Sequence, residues 1–264
     1  MKLPLLRVLC KYWFTSWHTY LLSFVLPVAL YFISTRVTNM FNSNASFLAL
    51  PGSILLAVVI NGLVDLPIAF FEFKQTTFAR QLHLLRASTG HLIITLLFIN
   101  FCVSITAGFW LMLVAISSYY QAIHLSWINW ITLGWTIILA SSVSGLIGIM
   151  IGYFHRDLKI ILVLAISVFL ILAFLTGMLF PLGVIRSDQS LNFLGYFFPT
   201  TFLANLMNSS FFWNVPSWIL DSNLYPNLTY FSQLHNIWLP TIIIFAWILV
   251  FTTIIFWQNS YQDK

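Results

Sequence analysis

Long apolar runs that carry very few charges dominate this sequence and decide what it can fold into. Six such runs lie at residues 19–35, 48–71, 91–119, 129–153, 159–180 and 237–258. Each is close to or above the ~20 apolar residues with which an α-helix crosses the ~30 Å hydrocarbon core of a bilayer. Of the 264 residues, 60% are hydrophobic and 6% charged, whereas water-soluble domains have roughly 25% charged residues. The sequence therefore predicts an all-α integral membrane protein in which six transmembrane helices form a single domain over residues 1–264.

The distribution of lysine and arginine predicts how these helices are oriented. Six crossings return both termini to one side of the membrane. On that side fall nine basic residues: Lys2, Arg7, Lys11, Lys74, Arg80, Arg86, Arg156, Lys159 and Lys264. Arg36 and Arg186 fall on the other side, and the side richer in lysine and arginine is the cytoplasmic one. We therefore expect both termini in the cytoplasm, with the bacterial cytoplasmic membrane as the location.

Residues 1–18 carry an amphipathic pattern. At helical spacing the polar residues form one stripe: Arg7, Lys11, Thr15 and His18. The opposite side is apolar and aromatic: Leu6, Leu9, Trp13 and Trp17. This pattern favours an interfacial helix that lies among the lipid headgroups. The alternative is an irregular cytoplasmic tail before the first span.

The segment between the fifth and sixth spans, residues 181–236, is too broken for one span and too apolar for an ordinary loop. At membrane depth, irregular backbone is tolerated only where protein or a water-filled cavity surrounds it. The sequence therefore predicts broken or re-entrant helices on the outer face, next to a translocation path or gate. Candidate residues for that path stand where the backbone changes direction: Thr176, Gly177, Pro181, Pro199 and Thr200.

Motifs that would make the chain an enzyme are absent from the sequence. It contains no G-x-x-x-x-G-K-[ST] phosphate loop, no H-E-x-x-H, no C-x-x-C and no G-x-S-x-G. The basic residues are scattered between apolar runs, which argues against nucleic-acid binding. We expect no catalytic residue, no metal site and no cofactor on this chain, so uphill transport would draw on a partner or an ion gradient.

The segment 72–90 is the most charged internal stretch. Its basic residues Lys74, Arg80 and Arg86 interleave with Phe78, Leu82 and Leu85, which recur at i, i+4 and i+7. Such a helix would either dock into a groove on a cytoplasmic partner or rest on lipid headgroups. The residues alone leave both interpretations open.

Two polar residues stand inside the second span, Asn61 and Asp65, followed by Pro67. Four residues apart, they share one face of a helix. An ionisable residue within a span is a functional-site hypothesis by default, here a contact with the substrate path or gate. Alternatively, Asp65 reaches the cytoplasmic interface or pairs with Lys74 or Arg156.

The fourth span carries small residues at helical spacing: Ser141, Ser144, Gly145, Gly148 and Gly152. Small residues let helix backbones approach closely within lipid. This face therefore predicts close packing against another span, or else against a second subunit.

Taken together, these elements resemble the membrane subunit of the type-2 ATP-binding-cassette exporters. The resemblance rests on the order of four elements along the chain. These are the N-terminal segment 1–18, a charged segment that begins at Glu72 and contains Thr77, Thr176-Gly177 followed by Pro181, and Pro199-Thr200-Thr201-Phe202 before an apolar stretch.

The resemblance implies a half-transporter without its own nucleotide site. A separate ATPase subunit, which holds ATP and Mg, would bind a coupling segment consisting of Glu72, Lys74, Thr77, Phe78, Arg80, Leu82, Leu85 and Arg86. A second copy of the chain or a related permease would complete a path for a drug, an antimicrobial peptide, a lipid or a lipid-linked glycan. The alternatives are an ion-coupled secondary transporter and a non-transporting membrane scaffold or immunity protein.

Overall fold

A computed structural model describes residues 11, 13, 16–39, 45–75, 89–119, 125–155, 157–176, 178–179, 195, 197–214 and 237–262. Within these ranges the chain is helical and contains no strand. We number seven helices, two of which contain a wider π-helical turn. They are α1 (Trp17–Tyr20, π-turn Leu21–Val25, Leu26–Asn39), α2 (Ala45–Ile60, π-turn Asn61–Asp65, Leu66–Gln75), α3 (Thr89–Ser118), α4 (Trp130–Phe154), α5 (Leu158–Leu175), α6 (Pro199–Phe211) and α7 (Trp238–Gln262).

Six of these helices, α1 to α5 and α7, are long and apolar enough to cross a membrane. The predicted helical fold, with six helices long and apolar enough to cross a membrane, is therefore confirmed. Their limits agree with the predicted runs to within a few residues except in α5, which ends at Leu175 rather than at residue 180. There the chain turns: the N–H of Leu179 donates to the carbonyl of Ala173 at 3.4 Å.

Helix α2 forms the centre of the bundle. An 18-residue stretch within its apolar segment Leu48–Phe73 is buried, and α2 packs against α1, α3, α4 and α6. Helices α1, α5 and α7 lie at the periphery, and less than a third of their apolar segments is buried. Many exposed side chains of the bundle are large and apolar, as at Ile131 and Val163, because lipid rather than water surrounds a bundle of this composition.

Helices α2 and α4 pack at very short distance through small residues. A Cβ atom on Gly148 would collide with the carbonyl oxygen of Gly62, and a Cβ on Gly62 would collide with Ser144. A Cβ on Gly152 would lie 3.2 Å from the carbonyl oxygen of Pro67. A further small residue of α4, Gly145, faces α3. The small-residue stripe of α4 thus contacts helices of its own chain.

The N-terminal segment differs from the predicted interfacial helix over residues 1–18. Ser16 has an extended backbone, with φ −77° and ψ 123°, and separates helical Trp13 from α1. Its hydroxyl donates to the Trp13 carbonyl at 2.9 Å, and such side-chain bonds compete with helix continuation. Consequently Trp13 is buried whereas Trp17 is 74% exposed, and His18 belongs to the first membrane-crossing helix. Residues 1–10 lie outside the described part of the chain.

Helix α6 lies at one end of the bundle. Near its C-terminus, the Ser210 carbonyl accepts the N–H of Asn129, the N-cap of α4, at 2.7 Å. At the other end of α6, Thr201 donates to the Gly195 carbonyl, and a Cβ on Gly195 would lie 3.4 Å from the carbonyl oxygen of Leu175. The start of α4 and the end of α5 lie at the same end of the bundle, because the end of α4 and the start of α5 lie together at the other end. With 13 residues, all buried, α6 is about 20 Å long and too short to cross a membrane.

Candidate functional site

Two polar contacts join α1 to α2 inside the bundle. Thr19 Oγ1 lies 3.0 Å from Asp65 Oδ2 and 3.2 Å from Oδ1, and the Ser23 hydroxyl donates to Asn61 Oδ1 at 2.7 Å. All four side chains are buried. The earlier residue on α1, Thr19, meets the later residue on α2, Asp65, because the two helices run antiparallel. Asn61 and Asp65 thus present both polar groups to the same neighbouring helix.

A π-turn lies at this contact in each helix. The N–H of Leu26 donates to the carbonyl of Leu21, and the N–H of Leu66 donates to that of Asn61, five residues back in both cases. Each of these leucines precedes a proline, Pro27 or Pro67. Proline lacks the N–H for an ordinary helical bond, and its ring crowds the carbonyl four residues earlier, so the helix widens there. Single π-turns are rare in proteins overall, but those that do occur are often found at functional sites.

The contact continues to the N-terminal segment through hydroxyl groups. Ser16 Oγ lies 2.6 Å from Thr19 Oγ1 and 2.9 Å from the Trp13 carbonyl oxygen. A continuous chain of polar atoms therefore runs from Asp65 through Thr19 and Ser16 to the backbone of Trp13. We call this the α1–α2 polar chain.

His18 flanks this chain on the side that reaches the protein surface. Its Nε2 atom lies 3.5 Å from Asp65 Oδ1. The His18 side chain is 30% exposed, whereas that of Asp65 is 1% exposed. Two partners of Asp65 that the sequence suggested, Arg156 and the Lys74 side chain, lie outside the described residues. Within the described part, the basic group beside Asp65 is His18.

Several buried nitrogen atoms around the α1–α2 polar chain make no hydrogen bond within the described residues. They are Trp13 Nε1, His18 Nε2 and Asn61 Nδ2. Buried polar atoms nearly always have a partner, and an orphan points to an ordered water, an ion or a functional contact. The site therefore offers nitrogen atoms to a small polar species next to a buried carboxyl group.

A second group of buried polar side chains lies where α3 packs against α4. Asn100 donates to the Ser141 carbonyl at 3.2 Å, while its Oδ1 and the hydroxyl of Ser104, one turn further on, lack hydrogen-bond partners among the described residues. Ser144 instead donates to the Ala140 carbonyl of its own helix at 2.7 Å. Unsatisfied polar groups thus occur in the middle of α3 as well.

The candidate gate residues are partly described. Thr176 is buried at the end of α5, where its hydroxyl donates to the Leu172 carbonyl at 2.6 Å. Pro199 opens α6, and the Thr200 hydroxyl beside it is buried without a partner among the described residues. Gly177 and Pro181 lie outside the described part of the chain.

Of the candidate coupling residues, the structure describes the first. Glu72 lies in the last turns of α2, half-buried, and its Oε2 makes no hydrogen bond among the described residues. Lys74 continues the α2 backbone. The other coupling residues lie outside the described ranges: Thr77, Phe78, Arg80, Leu82, Leu85 and Arg86.

Sequence reasoning identified Asn61 and Asp65 but missed Thr19 and Ser23 as their partners. A signal was present in the first span. Thr19 and Ser23 stand four residues apart and precede Leu26-Pro27. In the second span Asn61 and Asp65 also stand four residues apart, and Leu66-Pro67 follows directly. The shared pattern of two polar residues followed by Leu-Pro indicates the paired π-turns.

Comparison with protein-family models, curated proteins and solved structures gives no match to this chain. The functional assignment therefore depends on the residues and contacts of the chain itself.

Proposed function

We propose that this chain is the membrane-spanning permease subunit of an ATP-driven exporter. It forms the path for a hydrophobic or amphipathic substrate, and a separate ATPase subunit supplies the energy. The observation that carries the proposal is α6, a short, fully buried helix at one end of a six-span bundle. A short buried helix of this kind would suit the re-entrant element that the family resemblance leads us to expect at an external gate.

The position of α2 supports a mechanism in which the ATPase subunit acts on this chain from the cytoplasmic side. The last turns of this helix carry the first candidate coupling residues, Glu72 and Lys74, and the helix contacts α1, α3, α4 and α6. An α-helix transmits a displacement along its axis as a rigid element. A push on the coupling segment would therefore reach both the α1–α2 polar chain and the α6 end of the molecule.

Buried polar groups along the bundle support a translocation path. Partnerless polar atoms belong to Asn61 on α2, Asn100 and Ser104 on α3, and Thr200 on α6. An ordinary lipid-embedded bundle gains nothing from such groups, because each unsatisfied polar atom costs free energy in a dry interior. A wetted or substrate-filled state during transport would provide their missing hydrogen-bond partners.

The proposed assembly is a pair of permease chains with two ATPase subunits bound to their coupling segments. In this assembly the nucleotide and its Mg belong to the ATPase, and this chain contributes the docking residues. A cycle of ATPase closure would tilt the coupling segments and switch the bundle between two access states.

A double substitution in the coupling segment tests ATPase docking. We expect Glu72→Ala/Arg80→Ala to reduce retention of the ATPase on the purified permease at least tenfold, a loss of about 1.4 kcal/mol. The matched control is Asp157→Ala/Lys159→Ala, which removes one acidic and one basic side chain at the start of α5. Retention should be measured by co-purification after co-expression with the ATP-binding-cassette ATPase subunits of the same organism. If the two variants retain the ATPase equally, the segment is not the docking site; if the unmodified chain retains none, the exporter assignment fails.

The proposed orientation has its own test. Arg36 and Lys159 both have exposed side chains at opposite ends of the bundle. We expect Arg36→Cys to react with a membrane-impermeant maleimide on intact cells, and Lys159→Cys to react only after permeabilisation. Cys10 and Cys102 are replaced by alanine in both variants. The reverse labelling pattern would place the coupling segment outside the cell and exclude a cytoplasmic ATPase partner.

An ion-coupled secondary transporter is the second candidate, and the buried carboxyl group of Asp65 is the observation in its favour. Transport by purified protein in vesicles under an ion gradient, without any ATPase, would decide for this alternative.

A further inference from the structure

The number of hydrogen atoms in the α1–α2 polar chain constrains the charge of Asp65. Three contacts have to be made: Asp65 to Thr19, Thr19 to Ser16, and Ser16 to the Trp13 carbonyl. The hydroxyl groups of Thr19 and Ser16 supply one hydrogen each. If Asp65 is ionised, two hydrogens have to serve three contacts, and one pair of oxygen atoms faces each other without a hydrogen between them.

The direction of each bond follows from the far end of the chain. The Trp13 carbonyl can only accept, so Ser16 donates to it. The Ser16–Thr19 contact, at 2.6 Å, then takes its hydrogen from Thr19. Thr19 then has no hydrogen left for Asp65. An ionised Asp65 would have to accept one from Thr19 across 3.0 Å, so the hydrogen in this contact has to come from the carboxyl group of Asp65 itself.

Apart from the indole N–H of Trp13, which lies near its carboxyl group, the surroundings of Asp65 provide little to hold a negative charge. His18 faces it from α1 at 3.5 Å, without a hydrogen bond. Helices α3 and α4 carry no lysine, arginine, aspartate or glutamate. On α5 the charged residue is Lys159, which is exposed, and on α2 itself Glu72 lies two turns away. An ionised carboxylate in a dry interior is costly unless it is paired and well hydrogen-bonded.

We propose that Asp65 is a proton-binding site, held as a neutral carboxylic acid that donates to Thr19 and exchanges its proton through His18. Release of the proton breaks the O–H bond of Asp65 and forms an N–H bond at His18 Nε2. The imidazolium then gives its Nδ1 proton to water at the exposed side of the ring. Binding reverses these steps, so atoms and charge balance.

Proton release would also change the protein. With Asp65 ionised, the polar chain is one hydrogen short, and a contact between the N-terminal segment, α1 and α2 has to break. The site therefore couples the protonation of Asp65 to the docking of Trp13 and Ser16 against the bundle. This inference does not depend on the proposed exporter function, because it concerns a contact within one chain.

Infrared spectroscopy of the chain reconstituted in phosphatidylcholine vesicles tests the proposal. At neutral pH we expect the carbonyl-stretch band of a protonated carboxylic acid. The band should be lost in Asp65→Asn and kept in Asp157→Asn, which removes an exposed carboxylate. The amide group introduced by Asp65→Asn can still donate to Thr19, so this variant keeps the polar chain complete. A band that is missing from the unmodified protein, or that persists in Asp65→Asn, would overturn the proposal.

Two further measurements complete the test. Heavy-isotope labelling of the aspartate carboxyl groups should shift the band in the unmodified protein, a result that does not require any variant to fold. His18→Phe should slow the exchange of the acid proton for deuterium, whereas the control His155→Phe, at the end of α4, should leave the exchange rate unchanged. An unshifted band would contradict the proton site at Asp65. Equal exchange rates in the two histidine variants would contradict the route of the proton through His18.

Discussion

Gly148→Ala is expected to destabilise the folded protein by about 3 kcal/mol, the upper part of the range for overpacked cores. The added Cβ would collide with the carbonyl oxygen of Gly62 on α2. Because the clash involves backbone, no side-chain rotation relieves it, and α4 has to move away from the central helix. The free energy of unfolding in mixed detergent micelles, measured by denaturant titration, gives the size of the loss.

The control for this substitution lies on the same helix. Gly134 has no atom within 4 Å of an added Cβ. Gly134→Ala should therefore leave stability unchanged or raise it by up to about 1 kcal/mol, through the higher helix propensity of alanine. Equal effects of the two substitutions would show that α2 and α4 are not in close contact.

Phe211→Ala should lower stability by about 2–3 kcal/mol. Phe211 is the last residue of α6 and is completely buried. In soluble proteins such truncations cost about 3–5 kcal/mol, part of which is the transfer of apolar surface from water. That part is smaller in a membrane, since lipid is as apolar as the protein interior. The cavity and the lost dispersion contacts remain, and they account for the expected loss.

Substitution of a lipid-facing phenylalanine distinguishes the stability gained by burial in protein from that gained by burial in lipid. Phe109 on α3 is 62% exposed in the structure, where acyl chains would surround it. Lipid fills the space left by Phe109→Ala, so we expect a loss below about 1 kcal/mol. The same denaturant titration compares both variants. A small effect at Phe211 would mean that α6 is not an integral part of the bundle, and it would remove the main support for a gate at this end.

The two ends of the bundle differ in their chemistry. One end carries the α1–α2 polar chain with its carboxyl group, close to the candidate coupling segment. The other carries α6, which is capped against α4 by the Asn129–Ser210 bond. Helix α2 contacts both regions, so it is the element through which they can affect each other.

Sequence patterns were sufficient for some local features and misleading for others. The apolar runs located six helices, and Asn61 and Asp65 were recognised because polar residues in a span are exceptional. The stripe over residues 1–18 implied one continuous helix, yet Ser16 ends the first helical segment by bonding the Trp13 carbonyl. A periodic pattern reports which residues would share a face if the helix continued, and it contains no information on such a competing bond.

The number and approximate limits of the membrane-crossing helices were determined by the sequence alone, because the free energy of placing a segment in lipid depends on about 20 consecutive residues. Only the tertiary structure decided that α2 is central, that α6 is buried, and that Asp65 meets Thr19 and His18. Lipid chains and the protein interior are equally apolar, so hydropathy does not distinguish a helix surrounded by protein from one surrounded by lipid. The Thr19 partner of Asp65 lies 46 residues away in the chain, and the folded bundle alone brings the two together.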